Sequence, residues 1–294
     1  MDTVKFKAFI ECVNRGSVTA AAQELNYTPS AVSQLITSLE KELGVKLLNR
    51  SQKGVTLTPE GREIAPATRA CLASEDEVFQ LASGLRGITT GTLTIAAYPS
   101  AAITWLPNII RRFKNDYPGI NINILESIRS EIFDQLDNYE ADMAIFAYSE
   151  PMPYEWIPLT DVEVIAAVYE DHPLAGADSF PIAEAENYDF ILGSWGQERE
   201  ILDILEKHDA HPVIKYTTYD TPVTVAMVKM GLGISLVNAL SAEPWEGGYS
   251  KLPLEPREFI QFGIALPARE RLSKAAEKFL AYAIEEFKTE DKGD

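Results

Sequence analysis

Cysteine is almost missing from this chain of 294 residues: Cys12 and Cys71 are the only two, and residues 91–294 contain none. They lie outside any CxxC spacing, which excludes a disulfide framework and a thiolate metal site. Histidine is nearly as scarce, with His172, His208 and His211 forming no HExxH pattern and no ligand cluster. No stretch approaches the roughly 18–20 apolar residues of a membrane span. The opening segment, Met1 to Lys7, has no apolar signal region, so a cytoplasmic protein without membrane contact is expected. Ser100 lacks the G-x-S-x-G elbow of a nucleophile. Gly231 and Gly233 lack a full dinucleotide fingerprint and precede a strand rather than a helix. The expectation is therefore a protein that is not an enzyme and needs no cofactor or metal.

Positive charge is also in short supply. There are 26 Lys and Arg against 44 Asp and Glu, for a net charge of −18. Such a balance would exclude nucleic acid if it were uniform, because phosphate contact requires local positive charge. It is not uniform. Residues 1–62 carry eight basic and six acidic side chains, net +2, which leaves −20 for the remainder. A mildly basic head on an acidic body fits a DNA-contacting domain joined to one with another task. With 46% hydrophobic and 10% aromatic residues, the chain has material for the cores of two or three domains.

The head reads as a run of helices and a hairpin. Phe6, Phe9, Ile10 and Val13 recur at helical spacing, and Arg15-Gly16 ends that helix. Ser17 is placed to cap a short helix, Val18–Leu25, whose Ala20, Ala21 and Ala22 permit close approach of a neighbour. After the Asn26-Tyr27 turn, Thr28 followed by Pro29 marks a third helix start. This helix has two unlike faces. Val32, Leu35, Ile36 and Leu39 form an apolar stripe, while Ser30, Ser33, Gln34 and Thr37 form a small, polar, uncharged one. Side chains of that kind fit against base edges in a major groove, Gln with adenine being a favoured pairing. Lys46–Arg50 and Val55–Thr58 read as two short strands around a polar turn, Ser51–Gly54. This wing puts Arg50 or Lys53 beside the backbone or the minor groove.

The run GSVTAAAQELNYTPSAVSQLITSLEKELGVKLLNRSQKGVTLTPEG resembles the DNA-binding region of LysR-type transcriptional regulators along about 45 contiguous residues. The resemblance implies that Pro29, Ser30, Ser33 and Gln34 reach bases, that Arg50 and Lys53 are the wing cations, and that Thr28 caps the recognition helix. It also implies an interrupted, roughly palindromic double-stranded DNA operator, RNA polymerase as a further partner, and a homodimer or homotetramer.

Thr58-Pro59-Glu60 repeats the start signal for a helix. Ile64, Ala67, Cys71, Val78, Leu81 and Leu85 then follow a heptad-like seam that needs a partner helix to bury it. The resemblance implies a linker helix that pairs two subunits, although a surface helix packed on its own chain also fits the pattern. Pro66 predicts a kink or break. Gly84, Gly87 and Gly91 suggest a hinge. The expected boundaries are 1–58 for a winged helix-turn-helix and 59–90 for the linker. An α/β effector domain follows at 91–294, with lobe I near 91–161 and 266–294 and lobe II near 162–265.

From Leu93 onward strands and helices alternate, which predicts an α/β domain of mainly parallel sheets. GTLTIAAYPSAAITWLPNIIRRFKNDYPGI, EADMAI, HPLA and VKMGLGISLV resemble the family's effector domain, which is similar to periplasmic solute-binding proteins. Ligands of open α/β sheets lie beyond the carboxyl ends of strands, near helix N-termini that favour anions. An anionic metabolite is therefore expected to meet Ser100, Ser127 and Arg129, an aromatic wall of Phe146 and Tyr148, and Trp195 and Thr218 from the second lobe. Arg129 equally suits a solvated surface position, and Trp195 a core one. Two further readings stay open: a solute-binding or structural protein carrying a helix-turn-helix, and a redox sensor. The second would need cysteines in the sensing domain, which has none.

Overall fold

The computed structural model describes residues 3–51, 54–85, 90–196, 199–267 and 272–290, with the side chains at 80, 83–85, 195 and 289–290 outside that description. The chain divides into two compact units, Met1–Gly91 with Asp137–Glu140, and Thr92–Leu136 with Ala141–Asp294.

The first unit runs α1 (Thr3–Arg15), α2 (Val18–Glu24), α3 (Pro29–Leu43), β1 (Leu48–Ser51), β2 (Gly54–Leu57) and α4 (Pro59–Leu85). The apolar stripes foreseen on α1 and α3 meet in one core. Phe6, Phe9 and Ile10 pack with Ala21 and Ala22 of α2 and with Val32, Ile36 and Leu39 of α3. Burying each of the larger of these side chains contributes about 1.5–3 kcal/mol. Ser17 caps α2, its hydroxyl accepting from the Ala20 amide at 3.3 Å.

β1 begins at Leu48, later than the Lys46 start foreseen, because the intervening backbone bonds elsewhere. The amides of Leu47 and Leu48 donate to Glu40 Oε1 at 2.9 and 3.3 Å, and the Lys46 carbonyl accepts from the Thr58 hydroxyl at 2.7 Å. The Thr58 hydroxyl also accepts from the Gly61 amide at 2.9 Å, which starts α4. A Cβ on Gly61 would lie 2.1 Å from the Leu47 carbonyl oxygen, so this helix start requires glycine.

α4 is a single 27-residue helix with Pro66 inside it, so of the kink or break expected there the break does not occur. Proline removes one helical donor at that turn. Ala65 and Thr68 are buried beside it, with Ile64 and Leu72 packed on the first unit's core, so tertiary contact holds the turn that propensity alone would lose.

The second unit runs β3 (Gly91–Ala97), α5 (Pro99–Thr104), α6 (Leu106–Asp116), β4 (Ile120–Glu126), α7 (Arg129–Asp137), β5 (Met143–Ala147), β6 (Glu155–Tyr169), β7 (Phe180–Pro181), β8 (Phe190–Leu192), α8 (Arg199–Lys207), β9 (Ile214–Thr217), α9 (Thr221–Lys229), β10 (Ser235–Asn238), α10 (Ala239–Ala242), β11 (Tyr249–Leu266) and α11 (Lys274–Glu290). The main sheet has the order β10-β6-β11-β5-β3-β4. It is mixed, which corrects the mainly parallel expectation. β3 and β5 are parallel, but β11 is antiparallel to both β5 and β6, and β10 is antiparallel to β6.

β6 and β11 are the two long strands, paired from Tyr249↔Tyr169 to Leu266↔Glu155 with an irregularity between Pro253 and Glu258. They pass through two separate cores. One core, built on Leu93, Ile95, Phe113, Ile145 and Phe279, includes Phe262, Ile264 and Leu266 of β11. The other, built on Val164, Val168, Phe180, Phe190 and Ile204, includes Leu252 and Leu254. β11 therefore passes from the second core to the first between Leu254 and Phe262. Gly233 sits where β10 approaches β8, and a Cβ there would lie 2.3 Å from the Asp189 carbonyl oxygen.

His172 is buried in the second lobe among the rings of Tyr169, Phe180 and Tyr188. Its Nδ1 accepts from the Leu174 amide at 3.1 Å. Burial holds its pKa below the usual 6.5, against a smaller opposing pull from Glu184. The folded protein therefore resists a proton that the unfolded chain accepts, and stability falls as pH drops below about 6.5. His172→Gln should flatten the dependence of the urea midpoint on pH between about 7 and 5. An unaltered slope in that variant would remove His172 from the acid response.

Candidate functional site

The DNA-facing candidate begins with the cap of α3. Thr28 has extended backbone angles, φ −80° and ψ 152°, and its hydroxyl accepts from the Ala31 amide at 3.2 Å, with Pro29 at the first helical position. This fixes the helix's first turn while its apolar stripe is anchored in the core. Ser30, Gln34 and Thr37 are exposed and Ser33 is half-buried. The four foreseen side chains therefore share one face, though they differ in what they have to offer. Thr37 donates its hydroxyl proton to the Ser33 carbonyl at 2.9 Å, and the Ser33 hydroxyl accepts from Arg50 Nη1 at 2.5 Å. Ser30 and Gln34 have no such internal partner among the described residues. Arg50 connects β1 to α3, so the helix and the strand entering the wing form one surface. Lys53 lies outside the described residues.

The second candidate lies where the two lobes of the larger unit meet. Ser100, Ser127, Arg129 and Thr218 are all buried polar residues at ends of strands or starts of helices. Ser127 follows β4, its amide donating to the Ala97 carbonyl at 3.0 Å and its hydroxyl accepting from Gln135 Nε2 at 2.7 Å. Ser100 is in the first turn of α5, directly after β3. Thr218 follows β9, its amide bonded to the Leu192 carbonyl at 2.9 Å and its hydroxyl 2.5 Å from that of Thr224.

The lobes touch through two tyrosines. Tyr98 donates to Glu200 Oε1 at 3.4 Å, and Tyr219 donates to Glu131 Oε2 at 2.9 Å. Burial, and then the bond to Glu131, push the Tyr219 phenol above its ordinary range, so it remains a proton donor at neutral pH. None of these four residues has a signal in the sequence, because each pair joins side chains about 90–100 positions apart.

Two foreseen effector contacts are firmly engaged in the protein itself. Arg129 is buried, and its guanidinium donates to the carbonyls of Ala147 at 3.4 Å, Pro151 at 3.1 Å and Ser149, while stacking over Phe133 at 4.7 Å. Phe146 is fully buried between Tyr98, Phe133 and Trp156. Tyr148 is half-buried, packs its ring 5.3 Å from Trp156 and bonds to Glu150. Trp195 is in a short turn, Ser194–Gly196, and its side chain is outside the description.

On α4, Ile64 packs inward on the first unit's own core, whereas Cys71, Val78 and Leu81 are exposed and Leu85 is outside the side-chain description. The described residues contain no cluster of metal-ligating side chains and no helix long and apolar enough to cross a membrane.

Comparison with known families agrees with this layout. The helix-turn-helix model of the bacterial lysR regulatory proteins matches residues 4–62, and the LysR substrate binding domain model matches residues 86–288. The chain belongs to the LysR family. It is thus a DNA-binding transcription regulator with an effector-binding domain. YvbU of Bacillus subtilis, an HTH-type transcriptional regulator, is 29% identical over 296 residues, covering 99% of this chain and 100% of that one. Full-length OxyR of Pseudomonas aeruginosa has the same fold, with a TM-score of 0.74 at 23% identity, covering 97% of this chain and 94% of that one. CbnR, solved with its target DNA, has a TM-score of 0.70 at 18% identity, covering 98% and 99%.

Arg129 gives a direct test of how this LysR regulator's second unit is held. Arg129→Met would strand three carbonyls that now accept from a charged donor, a loss of at least about 1.5–3 kcal/mol. A lower urea midpoint is expected without any ligand present. An unchanged midpoint would show that the guanidinium is not a structural clamp.

Proposed function

We propose that the protein reads a specific duplex through α3 and adjusts transcription when a small molecule occupies the junction of its two lobes. The observation that carries the DNA half is the uncharged, exposed face of α3, on which Ser30 and Gln34 have no hydrogen-bond partner among the described residues while the opposite face is locked in the core. Base-edge recognition needs both properties, unsatisfied polar groups and a rigid mount. Thr28, Pro29, Ser33 and Thr37 shape that face, and Arg50 with Lys53 supplies contacts to the backbone. The operator would be an interrupted palindrome, since paired subunits impose their two-fold symmetry on DNA. This activity belongs to the cytoplasm, with RNA polymerase as the downstream partner.

The exposed Cys71, Val78 and Leu81 support pairing of α4 with a second copy of the chain, since an apolar helix stripe is stable in water only when covered. Dimer and tetramer both satisfy that need. Cys71 also provides a probe. Burial pushes the Cys12 thiol up to about 11, so it stays protonated and unreactive at neutral pH. Modification of Cys71 by a thiol reagent should therefore slow as protein concentration rises and subunits pair. Concentration-independent labelling would place the partner elsewhere.

Ser100, Ser127 and Thr218 are the polar groups this reading offers to the effector, with Phe146 and Tyr148 as aromatic ones and Trp195 as a further candidate. The expectation of an anionic effector depends largely on Arg129, whose guanidinium is taken up by three carbonyls. The small-molecule reading stands on the junction itself and leaves the ligand's charge as a matter for binding screens. A thiol-based sensor is disfavoured in this unit, which has no cysteine.

The full-length protein should select a consensus from a random duplex library, and Gln34→Ala should weaken binding to it by about 1–3 kcal/mol while relaxing preference at one position. Equal weakening on every duplex would mean that Gln34 touches only backbone. Selection of no consensus by the wild type would sink the DNA reading.

A further inference from the structure

Beyond the base-reading face, the first unit has an open groove of about 760 Å³ between the second half of α3 and β1, lined by Thr37, Glu40, Lys41, Lys46, Asn49 and Arg50 among others. Its chemistry is polar and cationic. Lys41, Lys46, Asn49 and Arg50 are all exposed, and none of the three cations forms an ion pair among the described residues. Glu40, the carboxylate in the lining, is engaged by the Leu47 and Leu48 amides, and the neighbouring Glu42 is bound by Lys5 outside the groove. Three cations therefore line an open space large enough for a nucleotide-sized segment, whose wall is more polar than apolar, with Val45 and Leu48 as its hydrophobic members.

The position of Lys41 gives the groove its direction. It follows Thr37 by four residues and Gln34 by seven, so it continues the base-reading face of α3 toward the helix C-terminus. A recognition helix that reads bases from its N-terminal turns leaves the major groove at its other end, where it meets the sugar-phosphate backbone. The change from uncharged to cationic side chains along this single face matches that change of surroundings.

We propose that this groove seats a run of DNA phosphates, with Lys41 and Lys46 as its two free-standing cations, Asn49 as a neutral donor and Arg50 fixing its wall through Ser33. The proposal rests on the DNA reading above and adds to it a site that sets register and affinity without reading sequence. Counterion release makes such phosphate neutralisation visible in the salt dependence of binding.

The test uses the full-length protein and a mixed-sequence duplex, with affinity measured across a salt series. Lys41→Gln combined with Lys46→Gln should make the slope of log K against log salt shallower by about 0.9 for each phosphate no longer neutralised, about 1.8 in all. The order of preference among duplexes should not change. Lys41→Arg with Lys46→Arg should recover the wild-type slope, and melting curves on the same samples establish that the variants are folded. The two single Gln variants supply the measurement should the double variant melt early. A wild-type slope in the Gln variants, or a shallow slope in the Arg variant, overturns the groove while leaving base reading by α3 intact. Failure of the wild type to bind any duplex at low salt overturns both.

Discussion

The larger unit depends on the antiparallel pairing of β6 with β11. These two strands run through both lobes, contribute side chains to two cores, and are the longest elements of the sheet. Pairing them joins the lobes by backbone hydrogen bonds, so the loops that end β3, β4, β8 and β9 face one another in a defined way. The irregularity between Pro253 and Glu258 interrupts the ladder where the chain leaves one core for the other. There Leu254 to Arg257 have no partner on β6, and Leu254 and Glu255 pair with β7 instead. The Tyr98–Glu200 and Tyr219–Glu131 bonds, each joining one lobe to the other, depend on this arrangement.

The smaller unit solves a different problem, holding a polar face rigid while leaving it unengaged. Glu40 and Thr58 do much of this. Glu40 Oε1 accepts from the Leu47 and Leu48 amides, and the Thr58 hydroxyl donates to the Lys46 carbonyl while accepting from the Gly61 amide at the start of α4, so backbone groups beside a buried leucine are given partners. The Arg50–Ser33 bond then ties the strand to the helix across seventeen positions of sequence. Two of the four polar side chains on the α3 face are partly used in this bracing. That division separates side chains that brace the helix from side chains with no partner among the described residues, a separation that composition alone does not reveal.

Arg129 illustrates how burial changes the meaning of a side chain. A cation just after a strand invites an anionic ligand, and the helix N-terminus beside it reinforces that idea. In the fold its donors are spent on the end of β5 and the loop after it, where three carbonyls converge on one guanidinium. A charge so satisfied organises the junction without advertising for an opposite charge. Ile64 makes the same point on α4, where periodicity places it on the outward seam but its own head domain supplies the neighbours that bury it.

Local signals determined much of this protein. The cap at Thr28 with Pro29, the two faces of α3, the cap at Ser17 and the alternation of strand with helix are short-range patterns whose physics is complete within a few residues. The family was legible for that reason. The strand directions were not, since parallel and antiparallel neighbours bury the same apolar runs. Nor was the persistence of α4 through Pro66, which depends on packing against a core formed by other helices. The Tyr98–Glu200 and Tyr219–Glu131 bonds and the cationic groove beside β1 were decided by tertiary structure alone, because each needs side chains brought together only after separate elements have found their places.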